Sequence, residues 1–159
     1  MKKVTVSVFI AAIFSVCIFS CKTIPDAQKD YMYVMVYDYH NNGVKNVSIF
    51  VDDKKIGSTD VYGRFSFPIA DSDEEHKIIL SKEKYETIED AFFYVPNEVL
   101  YYKMGESFYY FENAELNFDS EKYDEALKNI EKALEIENRK DYEYLKSLIQ
   151  GRIQGDDEK

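Results

Sequence analysis

The chain has 159 residues, with 30 Asp and Glu against 20 Lys and Arg, a formal net charge of −10. Nucleic acid and anionic headgroups are bound by clustered Lys and Arg, so this balance excludes both as electrostatic partners. A composition 45% hydrophobic and 16% aromatic is that of a folded protein. Both cysteines, Cys17 and Cys21, lie at the start of the chain, so no disulfide framework, thiolate metal site or cysteine nucleophile can form downstream.

Lys2 and Lys3 precede an uncharged run, Val4 to Ser20, which ends in Ile18-Phe19-Ser20-Cys21. A basic start, an apolar stretch and a small residue before the cut are the parts of a secretory signal. With a cysteine after the cut, the segment resembles the lipobox of bacterial lipoproteins. That resemblance implies removal of residues 1–20, lipidation of Cys21, and a place in the bacterial cell envelope outside the cytoplasmic membrane. Two or more acyl chains hold a protein durably on a membrane. Residues 21–30, polar and interrupted by Pro25, read as a tether.

From Tyr31 to about Met104 the pattern has period two. Val34 and Val36 alternate with Met35 and Tyr37; Val47, Ile49 and Val51 alternate with Ser48 and Phe50; Phe65 and Phe67 alternate with Arg64 and Ser66. Such alternation marks half-buried strands. The breaks fall at His40-Asn41-Asn42-Gly43, Asp52-Asp53-Lys54-Lys55 and Asp71-Ser72-Asp73-Glu74-Glu75. Further strands are predicted around His76–Ser81, Glu86–Ala91 and Glu98–Lys103. Short, evenly spaced strands with polar turns predict a small antiparallel β-sandwich over 31–104.

At about Gly105 the period becomes helical. Tyr110, Ala114 and Phe118 lie four apart, and Tyr123, Ala126, Leu127, Ile130, Ala133 and Leu134 follow the i, i+3, i+4 rhythm. Asp119-Ser120 separates these two helices, with Ser120 as the expected cap of the second. A third is predicted from about Asp141 to Ile153, with Tyr144, Leu145, Leu148 and Ile149 as its apolar side. The fold class is therefore α+β, a small antiparallel sandwich followed by a three-helix segment over 105–154, with a charged tail at 155–159.

Two strings carry resemblances. Val34-Met35-Val36-Tyr37-Asp38, then Gly43 to Val51, then Thr59-Asp60-Val61-Tyr62-Gly63-Arg64-Phe65 and Lys84-Tyr85 resemble the carboxypeptidase regulatory-like, transthyretin-like sandwich. In that pattern Asp60 closes a turn on backbone amides, Gly63 supplies a positive φ and Phe65 enters the core. Val44 stands where the family has proline, and Lys84 where it has glycine. The resemblance implies a fold and no reaction. Tyr123-Asp124-Glu125-Ala126, Ile130 and Lys132-Ala133-Leu134-Glu135-Ile136, preceded by Tyr110 and Ala114, resemble a tetratricopeptide repeat. One repeat makes no concave groove by itself.

No catalytic pattern emerges. His40 and His76 stand alone, no phosphate loop or nucleophile elbow occurs, and the acidic run 71–75 lacks the spacing of a calcium loop. The expected protein is non-enzymatic, without cofactor or metal. It is an envelope lipoprotein that meets the membrane through its lipid and another envelope protein through an interaction surface. Turning Val34 and Val36 inward puts Tyr33, Met35 and Tyr37 outside, and the small helical segment is expected to cover that stripe. Tyr33, Met35, Tyr37, Tyr39 and Tyr62 are the candidate interaction residues. Carbohydrate, stacked on exposed tyrosines, is the alternative partner.

Overall fold

The computed structural model of the chain describes residues 30–68 and 72–157. The leader, Cys21, most of the tether, Asp71 and the last two residues lie outside the described residues. Among the described residues, seven strands are followed by three helices. The strands are β1 (Tyr31–Tyr37), β2 (Ser48–Val51), β3 (Lys54–Ser58), β4 (Arg64–Pro68), β5 (His76–Ser81), β6 (Ile88–Phe92) and β7 (Val99–Lys103). They form a three-stranded sheet in the order β4-β1-β7 and a four-stranded sheet in the order β3-β2-β5-β6. Every pairing is antiparallel except β1 with β7, which is parallel.

The sheets close on a shared core. Met32, Val34 and Val36 come from β1, Phe67 from β4, Ile49 and Val51 from β2, Ile78 and Leu80 from β5, and all are buried. Each set is spaced by two, so the alternation predicted from the sequence is the alternation of burial. Val44, just past the first turn, is a core residue as well.

The string from Thr59 to Phe65 is a structural device. Thr59 is buried; its Oγ accepts the Val47 amide at 2.9 Å and donates to the Val44 carbonyl at 2.7 Å. Asp60 Oδ1 accepts the amides of Tyr62 and Arg64, both at 2.8 Å, and Gly63 has φ +76°. Phe65 departs from expectation. It is half-buried, while Phe67 is the buried phenylalanine of β4. The cause is position, since β4 and β3 are edge strands of opposite sheets. Phe65 fills the gap between them, against Gly57, where any side chain would collide with its ring.

Strand β3 also corrects the sequence reading, which placed Lys54 and Lys55 in a turn. The turn contracts to Asp52-Asp53, both with positive φ (48° and 62°). Positive φ at both central residues fits the right-handed twist of a two-residue hairpin. Asp52 is held there by His76 Nδ1 at 2.6 Å and by the Lys77 amide at 3.0 Å.

The helices are α1 (Ser107–Asp119), α2 (Tyr123–Ile136) and α3 (Lys140–Asp157). Their own core contains Ala114 of α1, Ala126, Ile130 and Ala133 of α2, and Tyr142, Leu145 and Ile149 of α3. Small residues at the α1–α2 contact let the two helices approach closely. Ser120 does not cap α2: its hydroxyl donates to the Leu116 carbonyl at 2.8 Å, so it finishes α1, and Lys122 takes the N-cap position without a side-chain bond. On α3 the apolar side is rotated from expectation. Tyr142, Leu145 and Ile149 face the bundle, whereas Tyr144 and Leu148 are exposed. The helix also continues through Gly155, where a tail was expected.

Candidate functional site

The outer face of the three-stranded sheet is the most distinctive surface. Tyr31, Tyr33, Met35 and Tyr37 project from β1. The parallel register sets Val99 beside Tyr33, Tyr101 beside Met35 and Lys103 beside Tyr37. On the other flank Pro68 stands beside Tyr31, Ser66 beside Tyr33 and Arg64 beside Met35. Tyr31, Tyr33, Val99 and Tyr101 are exposed, Tyr101 by 55%. Among the described residues, no Asp or Glu occupies an outward position of the three paired strands, and the two charges there, Arg64 and Lys103, are positive; Asp60 lies at the margin, lining a shallow concavity with Tyr33, Met35 and Arg64.

The sequence expectation that the helices cover the stripe is overturned. Among the described residues no strand packs against any helix. Tyr37 instead stacks on Tyr101, with ring centroids 5.2 Å apart and an interplanar angle of 17°. Each ring therefore turns one face to the other rather than to solvent.

Of the remaining expected residues, Tyr39 and Tyr62 lie elsewhere. Tyr62 sits in the β3–β4 turn under the Arg64 guanidinium, 4.7 Å from its ring centroid. Tyr39 stacks on Tyr109 of α1 at 4.8 Å and meets the edge of Tyr110. It belongs to the seat on which the helices rest.

That seat is polar and built around Glu86, in the β5–β6 connection. Its Oε1 accepts the Gly105 amide at 2.6 Å and the Tyr110 hydroxyl at 2.8 Å, and its Oε2 lies 3.7 Å from Lys132 of α2. Burial, reinforced by the bonds to Tyr39 and Glu86, pushes the Tyr110 hydroxyl well above the ordinary tyrosine range, so it remains a donor. Gly105 has no side chain because one would strike the Tyr110 ring. Beside it the Ser107 amide donates to the Lys84 carbonyl at 2.8 Å, and the Ser107 hydroxyl donates to Glu137 at 2.9 Å. Lys84 holds φ +66° and pairs with Glu137 at 3.4 Å.

Between α1 and α3 runs a groove lined by Tyr109, Glu112, Asn113, Leu116 and Leu145, with His40 at one end. The helix α1 contains three acids and no Lys or Arg. Among the described residues no group of three His, Cys, Asp or Glu is placed to hold a metal ion. No described helix is long and apolar enough to cross a membrane.

Sequence reasoning missed Tyr31, Val99 and Tyr101 because their membership depends on β7 pairing with β1, which no local pattern encodes. Glu86 carries no signal at all among so many acids.

No family model matches the chain, and no curated protein matches it significantly. Solved structures with partly similar backbones include the shaft pilin SpaA from Lactobacillus rhamnosus GG, at 8% identity over 49% of this chain and 48% of that chain, TM-score 0.39. The TIE protein of Bacillus anthracis overlaps at 13% identity over 49% of this chain and 16% of that one, TM-score 0.36. The C-terminal domain of the Caf1A usher overlaps at 7% identity over 48% of this chain and 97% of that one, TM-score 0.33. The chain thus spans about half the length of the shaft pilin. These overlaps are partial, and the functional reading rests on the chain's own residues.

Proposed function

We propose that this is a lipid-anchored envelope protein that acts without catalysis, as an interaction or assembly module. The tyrosine face of the three-stranded sheet is its docking surface for another envelope protein. One observation carries the reading: a contiguous face of exposed Tyr31, Tyr33, Val99 and Tyr101 around half-buried Met35, with no acid at an outward position of its described strands, in a chain of net charge −10. Interface cores are enriched in Tyr, Met and Arg and depleted of Asp and Glu, and that contrast is what separates this face from the rest of the surface.

The topology suits an anchored protein. The chain enters β1 at Tyr31; β7 runs parallel to β1 and leaves at Lys103 for the helices. The helices thus sit at the end of the sandwich opposite the entry. A strand of this length rises about 20 Å at ~3.3 Å per residue, so an anchor at Cys21 would leave the helical segment on the far side of the sandwich from the membrane. The carboxypeptidase regulatory-like assignment is supported by the bonding of Thr59 and Asp60 and by Gly63. The tetratricopeptide-like assignment is supported by the buried Ala114, Ala126 and Ala133.

The test is photo-crosslinking in intact envelopes from a reactive residue at Tyr33, compared with one at the exposed Tyr144. A discrete adduct from position 33, lost in Met35→Asp, is expected. Absence of any adduct from position 33, or equal adducts from both sites, would overturn the docking surface. Cys21→Ala should release the protein to the aqueous phase on detergent partitioning, and unchanged partitioning would overturn the anchor.

A further inference from the structure

The helix α1 buries Ala114 in the helical core and turns another face to solvent. That face carries Glu112, Glu115, Leu116 and Asp119, all exposed, Leu116 by 65%. The four follow the i, i+3, i+4, i+7 spacing of one helical face. With Leu145 of α3 they line the groove between α1 and α3, a concavity of about 540 Å³. His40 closes one end, its ring meeting Tyr109 edge-on at 5.7 Å. His40 belongs to the β1–β2 turn, so the groove is a product of the junction between sandwich and helices, not of a helical repeat alone.

No Lys or Arg lines this groove. Among the described residues none of its three carboxylates forms an ion pair. The other helices mix their charges: α2 has Lys128 and Lys132 among its acids, and Lys146 of α3 reaches Glu131 of α2 at 2.8 Å. On α1 the arrangement works against the helix. Asp119 stands in its last turn, at the negative end of the helix dipole, where a carboxylate is unfavourable. Glu112 and Glu115, one turn apart, repel each other. The free protein loses by this placement, and a cationic partner would relieve it.

We propose that the groove is a second docking surface, for a segment of a partner protein in which an apolar side chain is flanked by Lys or Arg. Three features select that occupant. Unpaired carboxylates call for positive charge. They are also strung out rather than convergent: Glu112 to Asp119 rises about 10 Å along the helix at ~1.5 Å per residue. Among the described residues no group of three His, Cys, Asp or Glu is placed to hold a metal ion, so cations carried along a chain fit where a single ion does not. Finally, Leu116 stands between Glu112 and Asp119 on the same helical face, beside Leu145. An apolar centre with a charged rim is the build of a protein interface, and it asks for an amphipathic segment rather than a uniformly charged one. The groove lies on the helices, apart from the tyrosine face, and neither reading depends on the other.

The full chain in detergent, titrated with a labelled amphipathic peptide of Lys and Leu and followed by fluorescence anisotropy, provides the test. Glu112→Gln combined with Glu115→Gln and Asp119→Asn should weaken binding about tenfold, the loss expected for three exposed charge pairs. Far-UV circular dichroism should be unchanged, because all three side chains are exposed. Removing the same charge from the acidic turn before β5, by Asp73→Asn with Glu74→Gln and Glu75→Gln, should change binding by less than about twofold, since distant exposed charges are screened. Leu116→Ser should weaken binding as well, and a peptide of Lys and Ser should bind the parent less tightly than the peptide of Lys and Leu. No binding by the parent would overturn the proposal, as would equal weakening by the two triple substitutions. So would a Leu116→Ser variant that binds like the parent, or equal binding of the two peptides.

Discussion

Replacing Glu86 with alanine would reveal whether the sheets and the helices are one cooperative unit. The two halves have separate cores, one around Val34, Ile49 and Leu80, the other around Ala126, Ile130 and Tyr142. What joins them is the seat. Glu86, 14% exposed, accepts from the Gly105 amide and the Tyr110 hydroxyl. A hydrogen bond to a charged group contributes about 1.5–3 kcal/mol, and its loss strands a donor. Water reaching part of the emptied site offsets some of this, so Glu86→Ala should cost about 2–4 kcal/mol, a large share of a typical domain's stability. The contact with the half-exposed Lys132 adds little, about 0–1 kcal/mol. Glu86→Gln keeps a carbonyl oxygen for both donors and should cost about 1 kcal/mol. The assay is urea unfolding followed by amide exchange in β1 and β5 and, separately, in α2. The parent should lose protection in both halves together, and Glu86→Ala should lose it in the helices first. A loss under about 0.5 kcal/mol with coincident transitions would refute the seat as the coupling element.

Three further substitutions follow from the same geometry. Thr59→Val keeps the shape but strands the Val47 amide and Val44 carbonyl, and should cost about 2–4 kcal/mol in denaturant melts; a cost below about 1 would contradict the role given to its hydroxyl. Lys84→Gly relieves a left-handed backbone at the cost of an exposed ion pair, and should stabilise the protein by about 0.5–1 kcal/mol. In acid, the His76 bond holds the Asp52 carboxyl below the ordinary range. A lowered folded value means its stabilisation is complete above the unfolded value, about 4, and is lost as pH falls through the folded value. The stability gap between the parent and Asp52→Asn should therefore be widest near neutral pH and close on acidification. A gap that is constant with pH would remove Asp52 from the acid response.

Much of the sheet region could be read in advance because half-buried strands write their burial into a period of two. His76–Ser81 begins and ends where the pattern places it. The Thr59-to-Gly63 turn was legible because its residues act through their own backbone. The gaps arise where distant partners decide. Lys54 and Lys55 read as turn residues because an edge strand needs little apolar content, and only the positive φ of Asp52 and Asp53 shortens the turn enough to free them. Tyr144 and Tyr142 are indistinguishable by composition, and the rotation of α3 against α2 buries one and exposes the other. The stripe of Tyr33, Met35 and Tyr37 was legible as outward, but what covers it was not. A covering helix leaves no mark on the strand it covers, and the helices here are held instead by Tyr39 and Glu86.

The central claim is that the tyrosine face is occupied when the protein is in place. Hydroxyl-radical footprinting in native envelopes, compared with the purified protein, measures this at single residues. Tyr31 and Tyr33 lie on β1, the central strand of the three-stranded sheet, and both are exposed. Both tyrosines should be protected in the envelope relative to the purified protein, while exposed Tyr144 reacts equally in the two. Equal reactivity of Tyr31 and Tyr33 in both samples would contradict it.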